Sequence, residues 1–103
     1  MLHKYLTDEK LAEYDSAIDD DPHIPKEYKD NFIIREVCRA GLYLCDELDM
    51  LGCPANLIIR IQYTAGKLSF GRDPWQIHLF ILNEYKNNRL ELSEEIKIGT
   101  ELN

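Results

Sequence analysis

The sequence predicts a mainly α fold, a compact domain of three to four helices, on three observations. One long stretch repeats apolar residues at helical spacing, two others open on helix-start residues, and glycines and prolines fall where helices should stop and start. At 103 residues the chain reads as a single domain, residues 1–103, large enough to bury roughly 60–70% of its unfolded surface without staples.

The first element, within residues 1–21, is a short acidic helix. Thr7 suits an N-cap, Asp8 and Glu9 suit the positive end of the helix dipole, and Leu6 with Leu11 occupy staple positions. Leu11, Tyr14 and Ile18 continue at helical spacing. Asp19, Asp20 and Asp21 sit at the negative end, each at a cost of roughly 0.3–1 kcal/mol if the helix reaches them, and Pro22 predicts a stop. Residues 19–25 form a linker.

Residues 26–51 predict the spine of the fold. Ile33, Ile34, Val37, Cys38, Gly41, Leu44, Cys45, Leu48 and Leu51 project to one face of a helix, with Arg35, Glu36, Arg39, Asp46 and Glu47 on the other. Gly52 stands where a C-terminal left-handed glycine belongs. Gly41, inside the apolar face, implies a close helix crossing.

Residues 54–71 carry two patterns. Pro54 opens a helix along which Leu57, Ile58, Ile61, Ala65 and Leu68 form a stripe, whereas Ile59, Ile61 and Tyr63 alternate with polar residues ahead of Ala65-Gly66-Lys67, as in a β-hairpin over 57–71. The helix is favoured, and the hairpin would make the fold α+β. Asp73 and Pro74 then start a helix over 73–87, with Trp75, His78, Leu79, Leu82 and Tyr85 on one face and Ile77 and Phe80 elsewhere. In the tail, residues 88–103, Leu90, Leu92, Ile96 and Ile98 suggest short extended or docked pieces.

Charge is sorted along the chain. Residues 1–50 carry 13 acids and 6 bases, residues 51–90 carry 2 and 5, and residues 91–103 carry 4 and 1, for a net charge of −7. Such polarity points to a surface with two electrical characters and therefore to partners. No apolar run approaches a membrane span, and the amino terminus lacks the features of a secretory signal or transit peptide. The odd set of Cys38, Cys45 and Cys53 fits reduced thiols, so a cytoplasmic protein is expected.

Chemistry finds little purchase. The cysteines lack the close pairs of a zinc site, Asp15, Asp19, Asp20 and Asp21 lack the order of a calcium loop, and the serines sit in no nucleophile motif. His78 reads as a structural histidine, and Gly66, Lys67, Gly71 and Arg72 do not make a P-loop. The expectation is a non-enzymatic protein with no metal or cofactor. Asp15, Asp19, Asp20, Asp21, Glu27, Asp30, Asp46, Glu47 and Asp49 are the candidate partner-binding residues, presenting a negative face to a basic protein. A regulator or inhibitor of a nucleic-acid-handling partner, imitating phosphate in the manner of phage or mobile-element accessory proteins, is the specific form of that expectation. The second reading is a nucleic-acid or nucleotide module in which Arg60, Lys67 and Arg72 contact phosphate beside Trp75. The third is a homo-oligomer through Ile77 and Phe80.

Overall fold

A computed structural model describes residues 3–90, which form five helices and no strand among the described residues. These are α1 (Asp8–Asp20), α2 (Lys26–Lys29), α3 (Phe32–Met50), α4 (Ala55–Leu68) and α5 (Pro74–Lys86). The α3 helix is the spine, packed by α1, α2, α4 and α5, and α4 also packs on α5. The tail signals at Leu92, Ile96 and Ile98 lie outside the described residues.

Thr7 caps α1 by accepting the Lys10 amide at 3.2 Å, and Leu6 is buried against Tyr14, with Leu11 packed beside them. The acidic C-terminus of α1 is offset from outside the helix. Lys29 donates to the Asp19 carbonyl at 2.8 Å and Arg35 to the Asp19 carboxylate at 2.9 Å, placing cations where the dipole is negative.

The expected continuous helix over 26–51 is two helices. Asn31 takes an extended conformation (φ −87°, ψ 119°) and accepts the Ile34 amide at 3.0 Å, ending one helix and capping the next. At the far end Gly52 adopts φ +81° and the Cys53 amide donates to the Leu48 carbonyl at 3.0 Å, the glycine stop that the sequence predicts.

The hairpin over 57–71 does not form. As a helix, α4 turns Ile61, Thr64 and Ala65 into the core together, whereas strand alternation would put Ile61 and Thr64 on opposite faces. Asp73 caps α5 through the Trp75 amide at 3.0 Å with Pro74 in the first turn. This helix is central. Ile77 is buried and Phe80 packs on the core, so neither side chain offers the exposed face on which the homo-oligomer reading rested.

Two packed clusters result. Leu44, Leu48, Ile61, Ala65, Ile77, Ile81 and Leu82 make the larger, and Leu6, Tyr14, Ala40 and Trp75 make the smaller, beneath α1. His78 is buried, donates Nδ1–H to the Pro74 carbonyl at 2.6 Å and is held below its usual pKa by burial.

Candidate functional site

The acidic residues do not form one face. Along the α1–α3 contact Asp15 accepts Nε of Arg39 at 2.8 Å and a guanidinium nitrogen of Arg35 at 3.0 Å, and Arg35 also reaches Asp19. Burial pushes the Asp15 carboxyl up, but the bonds and charges of Arg39 and Arg35 outweigh it and hold the group below its usual value. Glu36 behaves alike: burial raises it, and bonds from Trp75 Nε1 (2.7 Å), Arg39 (2.5 Å) and His3 (3.3 Å) bring it down.

Asp15 and Asp19 are therefore internal partners of arginine. Asp20, Asp21, Glu27 and Asp30 stay at one end of this layer, with Asp21 accepting the His23 amide at 2.8 Å. Asp46, Glu47 and Asp49 lie at the other end, about 16 Å along α3 from Arg35 to Asp46. There Asp46 accepts the Tyr14 hydroxyl at 2.5 Å and Glu47 accepts that of Tyr43. Lys10 reaches both Glu13 and Asp46, so the antiparallel packing of α1 adds Asp8, Glu9 and Glu13 to this end.

The basic and aromatic set also divides. Trp75 is only 3% exposed, stacked on Tyr5 at 4.9 Å between centroids and bonded to Glu36, so it is a core residue and not a platform for a base. Arg72 donates to the Leu68 carbonyl at 3.3 Å, and Lys67 lies over the Tyr63 ring at 5.3 Å. Arg60 is exposed, further back on α4.

What the fold does assemble is an apolar groove of about 970 Å³. One wall is the start of α3, with Phe32, Ile33 and Val37; the other is the end of α4 and its turn, with Gly66 and Phe70. Tyr28 of α2 and the Tyr5–Trp75 pair complete it, and Lys4 and Arg72 stand at its margin. Phe32, Ile33 and Phe70 are 70%, 68% and 87% exposed. Local geometry explains this. Phe32 and Ile33 occupy the first turn of α3, and Phe70 sits in a turn where Ser69 is buried, bonded to the Ala65 carbonyl, and Gly71 reverses the chain at φ +73°.

Gly66 is unusual within this wall. A Cβ built on it meets nothing within 4 Å, whereas one on Gly41 would stand 3.2 Å from Nε2 of Gln62. The glycine in the spine thus answers to a contact inside the chain, as expected for a close crossing, and the glycine in α4 answers to none.

The chain matches no family model, no curated protein and no solved structure.

Among the described residues no group of three or more His, Cys, Asp or Glu is placed to hold a metal, and no helix is long and apolar enough to cross a membrane. The three cysteines are free thiols; burial pushes that of Cys38 up and that of Cys45 up to about 11. Ile33 is the residue that sequence reasoning misplaced most plainly, on the buried face of the spine. The exposed aromatics at 32 and 70 carried a signal, since each lies next to a helix boundary, but their convergence depends on how α3 and α4 splay.

Proposed function

We propose that this chain is a non-catalytic interaction protein whose docking site is the groove between the start of α3 and the end of α4. The observation that carries the reading is the exposure of Phe32, Ile33 and Phe70 around one concavity. Leaving each of these side chains in water instead of burying it forgoes roughly 1.5–3 kcal/mol, which a partner recovers on docking. The open space at Gly66 supports it further, because a small residue in the wall of a groove lets another backbone approach closely.

The partner's surroundings follow from charge. With a net charge of −7 and acids at both ends of the α1–α3 layer, the long-range field favours a partner that is basic around its docking segment. A regulator or inhibitor of a basic nucleic-acid-handling protein, acting in the cytoplasm, is the specific form of this reading. The nucleic-acid module is less well supported, because its aromatic platform, Trp75, is buried.

The experiment is capture from host extract with the wild-type chain beside Phe70→Asp and Ile33→Asp, with captured proteins identified by mass spectrometry. Both residues are exposed, so the variants keep the fold, checked by thermal melts. A basic protein captured by the wild type and lost from both variants is the expected result. Capture indifferent to both substitutions refutes the groove.

A further inference from the structure

The outer face of α4 leaves large apolar side chains in water. Ile59 and Tyr63 stand on it, each 66% exposed, and Gly66 follows on the same line, at intervals of four and three residues within Ala55–Leu68. Glycine inside a helix is less favourable than alanine, yet a Cβ on Gly66 meets nothing within 4 Å, so no contact among the described residues requires it. Exposed apolar side chains continue past both ends of the helix: Phe70, 87% exposed, in the turn after it, and Met50 and Leu51, 76% and 46% exposed, at the turn before it. Taking roughly 150–200 Å² for a fully exposed large side chain, Ile59, Tyr63, Phe70, Met50 and Leu51 present about 500–700 Å². A standard interface buries about 800 Å² per partner, about 450 Å² of it apolar, so this surface is large enough for a dimer.

We propose that two copies of this chain pair through α4 in antiparallel register, about a two-fold axis near Tyr63, with Ile59 of each copy seated over Gly66 of the other. Shape selects a second copy. An isologous contact needs one surface that complements itself, and here a large side chain and a bare position lie seven residues apart, about 10 Å along one line of the helix. The rotation that sets one Ile59 on a glycine therefore sets the other there too. It also brings the turn that holds Phe70 in one copy beside the turn that holds Met50 and Leu51 in the other. Charge agrees, because α4 is the one helix among the described residues with no Asp or Glu, and two chains of net charge −7 meet there with the carboxylates of their other helices kept off the contact. The inference goes beyond the docking function, since Ile59 and Tyr63 are not among the residues that line the groove.

The test is sedimentation of the full chain over two decades of concentration around the micromolar range, with circular dichroism checking that every variant folds. A monomer–dimer equilibrium is expected, lost in Ile59→Asp and in Gly66→Leu, and tightened at least threefold as salt screens the repulsion between like-charged copies. Cysteine bridging fixes the register, with the wild type, whose three thiols are buried or half-buried, as control. Facing residues close to the axis come within bridging range, so Tyr63→Cys should form a disulfide dimer under mild oxidation. Ile59→Cys alone should not, its two copies standing about 10 Å apart, but mixed with Gly66→Cys it should. Monomer at every concentration and salt, a dimer indifferent to Ile59→Asp, or Ile59→Cys bridging to itself as readily as Tyr63→Cys overturns the proposal. Monomer throughout with host-extract capture lost in Ile59→Asp gives the face to another protein, and overturns it as well. The two readings fail separately: Ile33→Asp, across the groove, should lose capture and keep the dimer, whereas Ile59→Asp should lose the dimer and keep capture.

Discussion

Replacing Gly66 by alanine should make the protein more stable and its docking weaker. Glycine inside a helix is less favourable than alanine by roughly 0.8–1.0 kcal/mol, because alanine has less backbone freedom to lose on folding. At most sites a clash offsets part of that gain, but here the added Cβ meets nothing within 4 Å, so the whole of it should appear. For a chain of this size about 1 kcal/mol corresponds to a rise in Tm of roughly 4–6 °C. Urea titration followed by circular dichroism measures it, and the midpoint should move up with an unchanged slope. Gly41→Ala is the internal control: its Cβ would stand 3.2 Å from Gln62, whose side chain must yield, so the gain there should be smaller. A Gly66→Ala protein no more stable than the wild type would refute the reasoning, because glycine would then be required by the chain itself and not by what approaches it.

The remaining predictions concern the ion-pair layer and the thiols. Glu36→Gln weakens bonds from Trp75, Arg39 and His3 and should cost about 2 kcal/mol in urea unfolding; a change below 0.5 kcal/mol, on the order expected of a surface substitution, would show that the network adds nothing. Asp15 and Glu36 have carboxyls held low in the folded state, so their stabilisation is present above the unfolded values near 4 and should be lost as pH falls through the folded values. Asp15→Asn should flatten that acid limb. His78, also held low, should begin to cost stability earlier, as pH falls below about 6.5 and the unfolded state takes up its proton. Cys45, with its thiol raised to about 11, should react with a disulfide reagent at pH 7.5 far more slowly in the native chain than in urea, and equal rates would contradict its burial.

Much of the fold is legible in the sequence because each helix end has a local chemical cause. Thr7, Gly52, Asp73 and Pro74 act through atoms a few residues away, so their roles do not depend on tertiary structure. Asn31 is the exception that shows the limit. Its capping is just as local, but apolar periodicity runs through it, and the sequence reading let the longer pattern decide. In residues 54–71 the two periodicities share Ile61, and only packing against Leu44, Leu48 and Ile77 selects the helix. Charge was harder to read. Sorting along the chain suggests separated patches, yet antiparallel packing of α1 on α3 sets Arg35 and Arg39 against Asp15 and Asp19, residues 16–24 positions away in sequence. The groove lay beyond pattern reasoning, since Ile33 and Phe70 are apolar residues that helical projection or an aromatic-rich stretch would assign to a core.

Where a captured partner sits on the surface decides between the groove and the acidic ends of the α1–α3 layer. Methyl and amide NMR shifts of the labelled full chain, recorded with and without that partner, should change at Ile33, Val37, Gly66 and Phe70. Shifts confined to Asp46–Leu51 and the first turn of α1, with the groove silent, would contradict it.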